Sequence, residues 1–172
     1  MKDIPITLGA IVLTVIVIIV VPVMTMADRF DTTAQTEVDA IVSDFVEEVR
    51  TTGKLTQEKY SQLTTNLDSL GYTFDVQMEI KALDENQRKK ASQTAKDKIG
   101  ENSYYSYYTS QIEEQLENPN GTHSITLKPG SIVSVKVINT NPTMAQQMKN
   151  ISYKLVGNDT ALIVSSKAGM VQ

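Results

Sequence analysis

The sequence predicts an α+β protein, with helices at the front of the chain, an antiparallel sheet of about five strands behind them, and an apolar segment preceding both. Three observations carry this. Ile4 to Ala27 is a run of 24 residues without a charge. Apolar residues then recur at helical spacing from Val38 to Val49, and they alternate strictly from Tyr72 to Lys81. The 172 residues have room for one membrane segment and one core of ordinary size. Residues 1–27 are therefore read as a transmembrane stem, 28–52 as an amphipathic helix continuing it, and 53–172 as an α+β head.

As a helix, the first segment spans about 36 Å, more than the roughly 30 Å of a hydrocarbon core. Its "IVLTVIVIIVV" is rich in β-branched residues, which are poor helix formers in water. In lipid the backbone must satisfy itself internally, and helix wins. Leu8, Ile11, Val15, Ile18, Ile19 and Pro22 are expected to face lipid or neighbouring stems. A cleaved signal peptide is the competing expectation. Pro22 sits where an apolar core would break, and Thr25 and Ala27 flank a small-residue cleavage site. The length of the run, and an N-terminus in which Asp3 offsets Lys2, favour a retained anchor. With Lys2 on one side and Arg29 between Asp28 and Asp31 on the other, the expected arrangement is a single pass in the cell membrane with the head outside.

Beyond the stem, Val38, Ile41, Val42, Phe45, Val46 and Val49 form one face of a helix, and Glu37, Asp39, Asp44, Glu47 and Glu48 lie on the other. Of these, Val38, Ile41, Phe45 and Val49 are expected to anchor the head. Gly53 ends the helix as a left-handed cap. Thr56 caps a second helix with Leu63, Leu67 and Leu70 inside, stopped by Gly71. "YTFDVQMEIK" is a half-buried strand, and Asp84 to Lys98 is polar without period, an exposed loop. In "ENSYYSYYTSQIEEQLEN", Tyr105, Tyr108, Ile112 and Leu116 line up at helical spacing and predict a third helix. Thr122 to Asn139 reads as a hairpin turning at Lys128, Pro129 and Gly130. Pro142 opens a short helix after Asn141, and two last strands flank the turn Gly157, Asn158, Asp159.

Composition and motifs argue against chemistry. Net charge is −4, without long blocks of either sign, so no nucleic-acid partner is expected. With no Cys, disulfides, thiolate metal sites and Cys nucleophiles are excluded. The single His123 has no partner at catalytic or metal spacing. Glu113 and Glu114 are adjacent on a helix and point apart. "KPGS" is a turn and not a phosphate loop, and "GNDT" supplies too few oxygens for Ca²⁺. No enzyme activity, cofactor, metal or small-molecule substrate is expected. Arg88, Lys89 and Lys90 read as a solvated loop. The sequons at Asn120, Asn150 and Asn158 matter only if the source glycosylates. The cluster Tyr104, Tyr105, Tyr107, Tyr108 stands out: two rings packing on the sheet is the plain expectation, and an aromatic interaction surface the functional one.

A layout of one hydrophobic helix running into an amphipathic helix behind a small α+β head is pilin-like. More specifically, "VEEVRTTGKLTQEKYSQL", "YTFDVQMEIKALDEN", "IGENSYYSYYTSQIEEQL", "LKPGSIVSVKVINTN" and "VGNDTALIVSSKAGMV" together resemble small single-pass proteins of tight-adherence (Tad/Flp-type) pilus loci in Gram-positive bacteria. The resemblance implies a structural subunit, a pseudopilin or accessory pilin of a type IV-like pilus or secretion apparatus. Its partners would be the membrane and copies of itself or related subunits, and its place a cell-surface filament. An ordinary prepilin carries a Gly before its cleavage site and a Glu five residues later. Here Gly9 is followed at that distance by Thr14. The alternative reading is a membrane-anchored adhesin or ligand-binding module using the tyrosine cluster and the turn Lys128 to Ser131.

Overall fold

The structure, a computed structural model, describes residues 3–83, 104–119, 121–143, 146–147 and 163–172. It is α+β, with one long N-terminal helix and antiparallel sheets. The chain divides into two compact units. Met1–Gln35 with Pro142–Ile163 form one, and Thr36–Asn141 with Val164–Gln172 the other.

Helix α1 runs unbroken from Asp3 to Thr52 and contributes to both units. In the first unit its apolar side chains are exposed apart from half-buried Met24 and buried Ala27 and Ala34. In the second unit its helical stripe becomes core, with Val38, Val42, Phe45, Val46 and Val49 all buried. Ile41, expected among the anchors, is half-buried at the margin of that stripe. Gly53 ends the helix at φ +61°, its N–H closing on the Val49 carbonyl at 2.9 Å, a left-handed cap that a side chain would strain.

Strand β1 (Lys54–Thr56) follows at once, and Thr56 also caps α2 (Gln57–Asp68), its hydroxyl accepting from the Lys59 N–H at 3.3 Å. Leu63 and Leu67 point inward, while Leu70 lies beyond the helix in the turn that ends at Gly71. Strand β2 (Phe74–Leu83) begins two residues after Tyr72 and keeps the predicted alternation, burying Met78 and Ile80.

Three expectations are corrected. Tyr104 to Tyr108 is not helical but a strand, β3, and α3 (Thr109–Glu117) starts only after it. Tyrosine fits a pleated, half-buried surface, and pairing with β2 places Tyr107 opposite Ile80 and Tyr105 opposite Ala82. That pairing overrides the helical spacing, which persists only in buried Ile112 and Leu116. The predicted hairpin over Thr122 to Asn139 does not form either. Strand β4 (Ser124–Thr126) pairs with β1, and β5 (Ile132–Asn139) with β2. Between them, Lys128 to Ser131 is a tight turn closed by the Ser131 N–H on the Lys128 carbonyl at 3.0 Å. Gly130 at φ +88° takes its left-handed position after Pro129. Finally, the described strands form two sheets and not one: a two-stranded sheet β1–β4 and a four-stranded one, ordered β3–β2–β5–β6, with β6 spanning Val164–Met170. All its pairings are antiparallel. The predicted loop after Asp84 and the turn at Gly157 lie outside the described residues.

Val133, Val135 and Val137 of β5 fill the inner face at the centre of the sheet, between β2 and β6. Gly169 of β6 lies where an added Cβ would meet Val46 Cγ1 at 3.1 Å and Arg50 Cδ at 3.0 Å, so α1 packs closely on that strand. The same inner face carries two buried polar side chains, Asn139 and Ser165. Neither amide atom of Asn139 nor the Ser165 hydroxyl has a hydrogen-bond partner among the described residues.

Candidate interaction surfaces

The predicted stem-packing residues form one continuous bare surface. Leu8, Ile11, Val15, Ile18 and Ile19 are 50–64% exposed, and Pro22 is exposed with them. The segment is long and apolar enough to cross a membrane, with a mean hydropathy of 3.0 over its most apolar window and none of that window buried. Its polar hydroxyls fit such a setting. Thr14 donates to the Ala10 carbonyl at 2.8 Å and Thr25 to the Val21 carbonyl at 3.0 Å, so neither needs water. Pro22 has no N–H to give, so the Ile18 carbonyl loses its helical donor.

Where the apolar run ends, the stem makes a polar attachment. Asp31 accepts from the Thr143 hydroxyl at 2.7 Å, across 112 positions of sequence. The same hydroxyl accepts from the Gln146 N–H at 3.1 Å, while the Gln146 side chain accepts from the Thr143 N–H at 2.9 Å. These reciprocal bonds have the T-x-x-Q capping-box pattern; most of the short helix expected after Asn141 and Pro142 lies outside the described residues. Thr143 and Gln146 are buried, at 2% and 3% exposure. Sequence reasoning missed this contact, although "TMAQ" carried the cap signal.

The tyrosines divide between the two faces of β3. Tyr104 and Tyr108 lie on the outer face, exposed. Tyr105 and Tyr107 lie on the core-facing side, their rings edge to face at 5.3 Å. A hydrogen bond with Tyr105, and secondarily burial, hold the Tyr107 phenol above its ordinary range. The four residues thus form an edge strand with aromatic groups on both faces. The Lys128 to Ser131 turn pairs with the chain's end and not with β3, since the Gly130 N–H donates to the Val171 carbonyl at 2.9 Å.

Several titratable side chains of the head make structural contacts. Tyr60 of α2 donates to Glu113 of α3 at 2.5 Å, and burial first, then that hydrogen bond, pushes its phenol well above the usual range. His123 adopts φ +49° and brings Nδ1 to 2.8 Å from the Leu116 carbonyl at the end of α3. Lys59 lines a cleft of about 130 Å³ floored by Ile41, Phe45 and Leu63. Its ammonium is shared among Glu48 at 3.1 Å, Thr52 Oγ1 at 2.8 Å and the Lys54 carbonyl at 3.3 Å. Among the described residues, no three His, Asp or Glu side chains converge as metal ligands. The chain matches no family model, no curated protein and no solved structure.

Proposed function

We propose that this protein is a membrane-anchored structural subunit, a pseudopilin or accessory pilin, of a type IV-like (Tad-type) pilus or secretion apparatus. The observation that carries the proposal is α1, one helix with a bare apolar segment at its start and the buried stripe of the head's core toward its end. The bare part is stable in lipid, or among matching stems. Left in water, its exposed apolar area would cost about 25 cal/mol per Å². The stem therefore leaves the bilayer only where other stems replace lipid around it, which is what a filament provides. The head, facing outward, does the presenting. No catalytic step is assigned.

The decisive experiment is to shear surface filaments from the source cells and determine the mature N-terminus of this protein by mass spectrometry. Filament-associated chain with residues 4–27 intact supports the proposal. A mature start at Asp28, with the protein free in the medium, overturns it. A second reading, a membrane-anchored adhesin, is favoured by the exposed tyrosines of β3. Under it the protein stays out of filaments, and Tyr105→Ala abolishes binding to a surface ligand.

A further inference from the structure

The charges of the head are sorted by element. From Thr36 to Thr52, α1 carries five acids and one arginine, and α3 carries three acids. Strands β4, β5 and β6, with the turn between the first two, carry Lys128, Lys136 and Lys167 and no acid. Asp44 on the helical side and Lys136 on the strand side are both exposed. Neither has an ion pair or a side-chain hydrogen bond among the described residues.

Asp44 stands on the rim of the cleft between α1 and α2. The floor of Ile41, Phe45 and Leu63 is apolar, and the volume of about 130 Å³ leaves room for one long side chain. Glu48 and Lys59 line the same cleft and satisfy each other at 3.1 Å, one turn beyond Asp44 toward the end of the helix. Asp44 is left as an uncompensated negative charge beside an apolar slot. A lysine matches that combination, because its four-carbon stem lies along apolar surface while its ammonium reaches a carboxylate at the rim.

Lys136 presents such a side chain on the far side of the sheet. It alternates along β5 with buried Val135 and Val137, so it projects from the face turned away from the core and from α1. Next to it on β6, Val164, Ser166, Ala168 and Met170 share that face and are exposed, a surface of small and apolar groups beside one cation. We propose that Lys136 of one copy enters the α1–α2 cleft of a second copy and pairs there with Asp44. Two different surfaces meet, so each head can give one contact and receive another, and repetition builds a row of heads. Because the sheet separates Lys136 from α1, the contact can be made with the α1 segments of both heads parallel. Chains held in one membrane can therefore all take part. A single rim-exposed ion pair contributes little by itself. It sets the register, and confinement to one membrane supplies the effective concentration. The inference rests on the reading of this protein as a membrane-anchored subunit and names a second copy as the partner of its head.

Because the chain has no cysteine, single substitutions can report the contact while both charges stay in place. Asn66→Cys marks the rim of the cleft, and Ser166→Cys the strand position paired with Lys136. Full-length chains carrying one or the other are reconstituted together in bilayer vesicles, treated with a short bis-maleimide and run on a gel. The mixture is expected mostly as the mixed dimer, and either chain alone mostly as monomer. Lys136→Asp added to the Ser166→Cys chain should remove the dimer while the circular dichroism spectrum is kept. Asp44→Lys added to the Asn66→Cys chain should then restore it, by reversing the pair. Lys167→Asp, on the core-facing side of β6, should leave the dimer as it is. The proposal is overturned if the mixture crosslinks no better than either chain alone, or if Lys136→Asp leaves the dimer intact. It is also overturned if the reversed pair fails to restore the dimer, or if Lys167→Asp removes it equally well. These outcomes are read in vesicles, apart from the mature N-terminus and filament association that decide the subunit reading.

Discussion

Removing one oxygen from Tyr60 tests how the second and third helices are joined. Tyr60→Phe keeps the ring in place and deletes the donor of the 2.5 Å bond to Glu113. A hydrogen bond to a charged group contributes about 1.5–3 kcal/mol when fully buried. Both partners here are only half-buried, and solvent screening reduces the expected loss to about 1–2 kcal/mol. For a head of this size that is a drop of about 4–8 °C in the thermal midpoint, followed by circular dichroism on the full chain in detergent. The pH dependence supplies an independent reading. The folded-state phenol titrates above its unfolded value near 10, so the native state holds the proton more tightly. The stabilisation is complete below pH 10 and is lost as pH rises from there through the folded value. Wild type should lose stability over that alkaline window more steeply than Tyr60→Phe. A double-mutant cycle with Glu113→Gln should show non-additivity. If Tyr60→Phe lies within about 0.3 kcal/mol of wild type at neutral pH, and the two substitutions add, the bond contributes nothing and the reasoning is refuted.

Ile112 is fully buried, so Ile112→Ala should destabilise the head by about 2–5 kcal/mol in the same melt, whereas exposed Tyr105→Ala should cost less than about 1 kcal/mol. Equal losses would restore the helical reading of that segment. Gly130→Ala should cost about 1–3 kcal/mol, from the positive φ and from a Cβ placed 2.6 Å from Leu83 Cδ1, and Leu83→Ala should recover only the steric part. Asn139→Leu removes a buried amide with no partner among the described residues and should raise stability by about 1–3 kcal/mol; a lowered thermal midpoint would mean that the amide is satisfied in the native state.

What could be read from sequence was whatever repeats within one element. The stripe from Val38 to Val49, the alternation along β2, the cap at Thr56 and the stop at Gly53 all follow from periods of 3.6 or 2 and from local backbone geometry. Three-residue strands such as β1 and β4 are too short to show a period, and each is a strand only because the other lies beside it. The "YYSYY" segment satisfied a helical spacing by coincidence with Ile112 and Leu116, and only pairing with Ile80 and Ala82 decides its state. The interaction surfaces divide in the same way. The stem's exposure follows from composition. The Tyr60–Glu113 and Asp31–Thr143 contacts join residues 53 and 112 positions apart, and no local window contains them.

The continuity of α1 has a mechanical consequence. A pull on the helix just before Val38 enters the core through Val38, Val42, Phe45, Val46 and Val49 at once, because all five project from the same helix into the same core. Such a load is applied in shear: the contacts must slip together and cannot be peeled open one after another. Resistance to extraction then scales with the length of the buried stripe, and Gly53, where α1 ends, marks the point beyond which tension is no longer carried by helix.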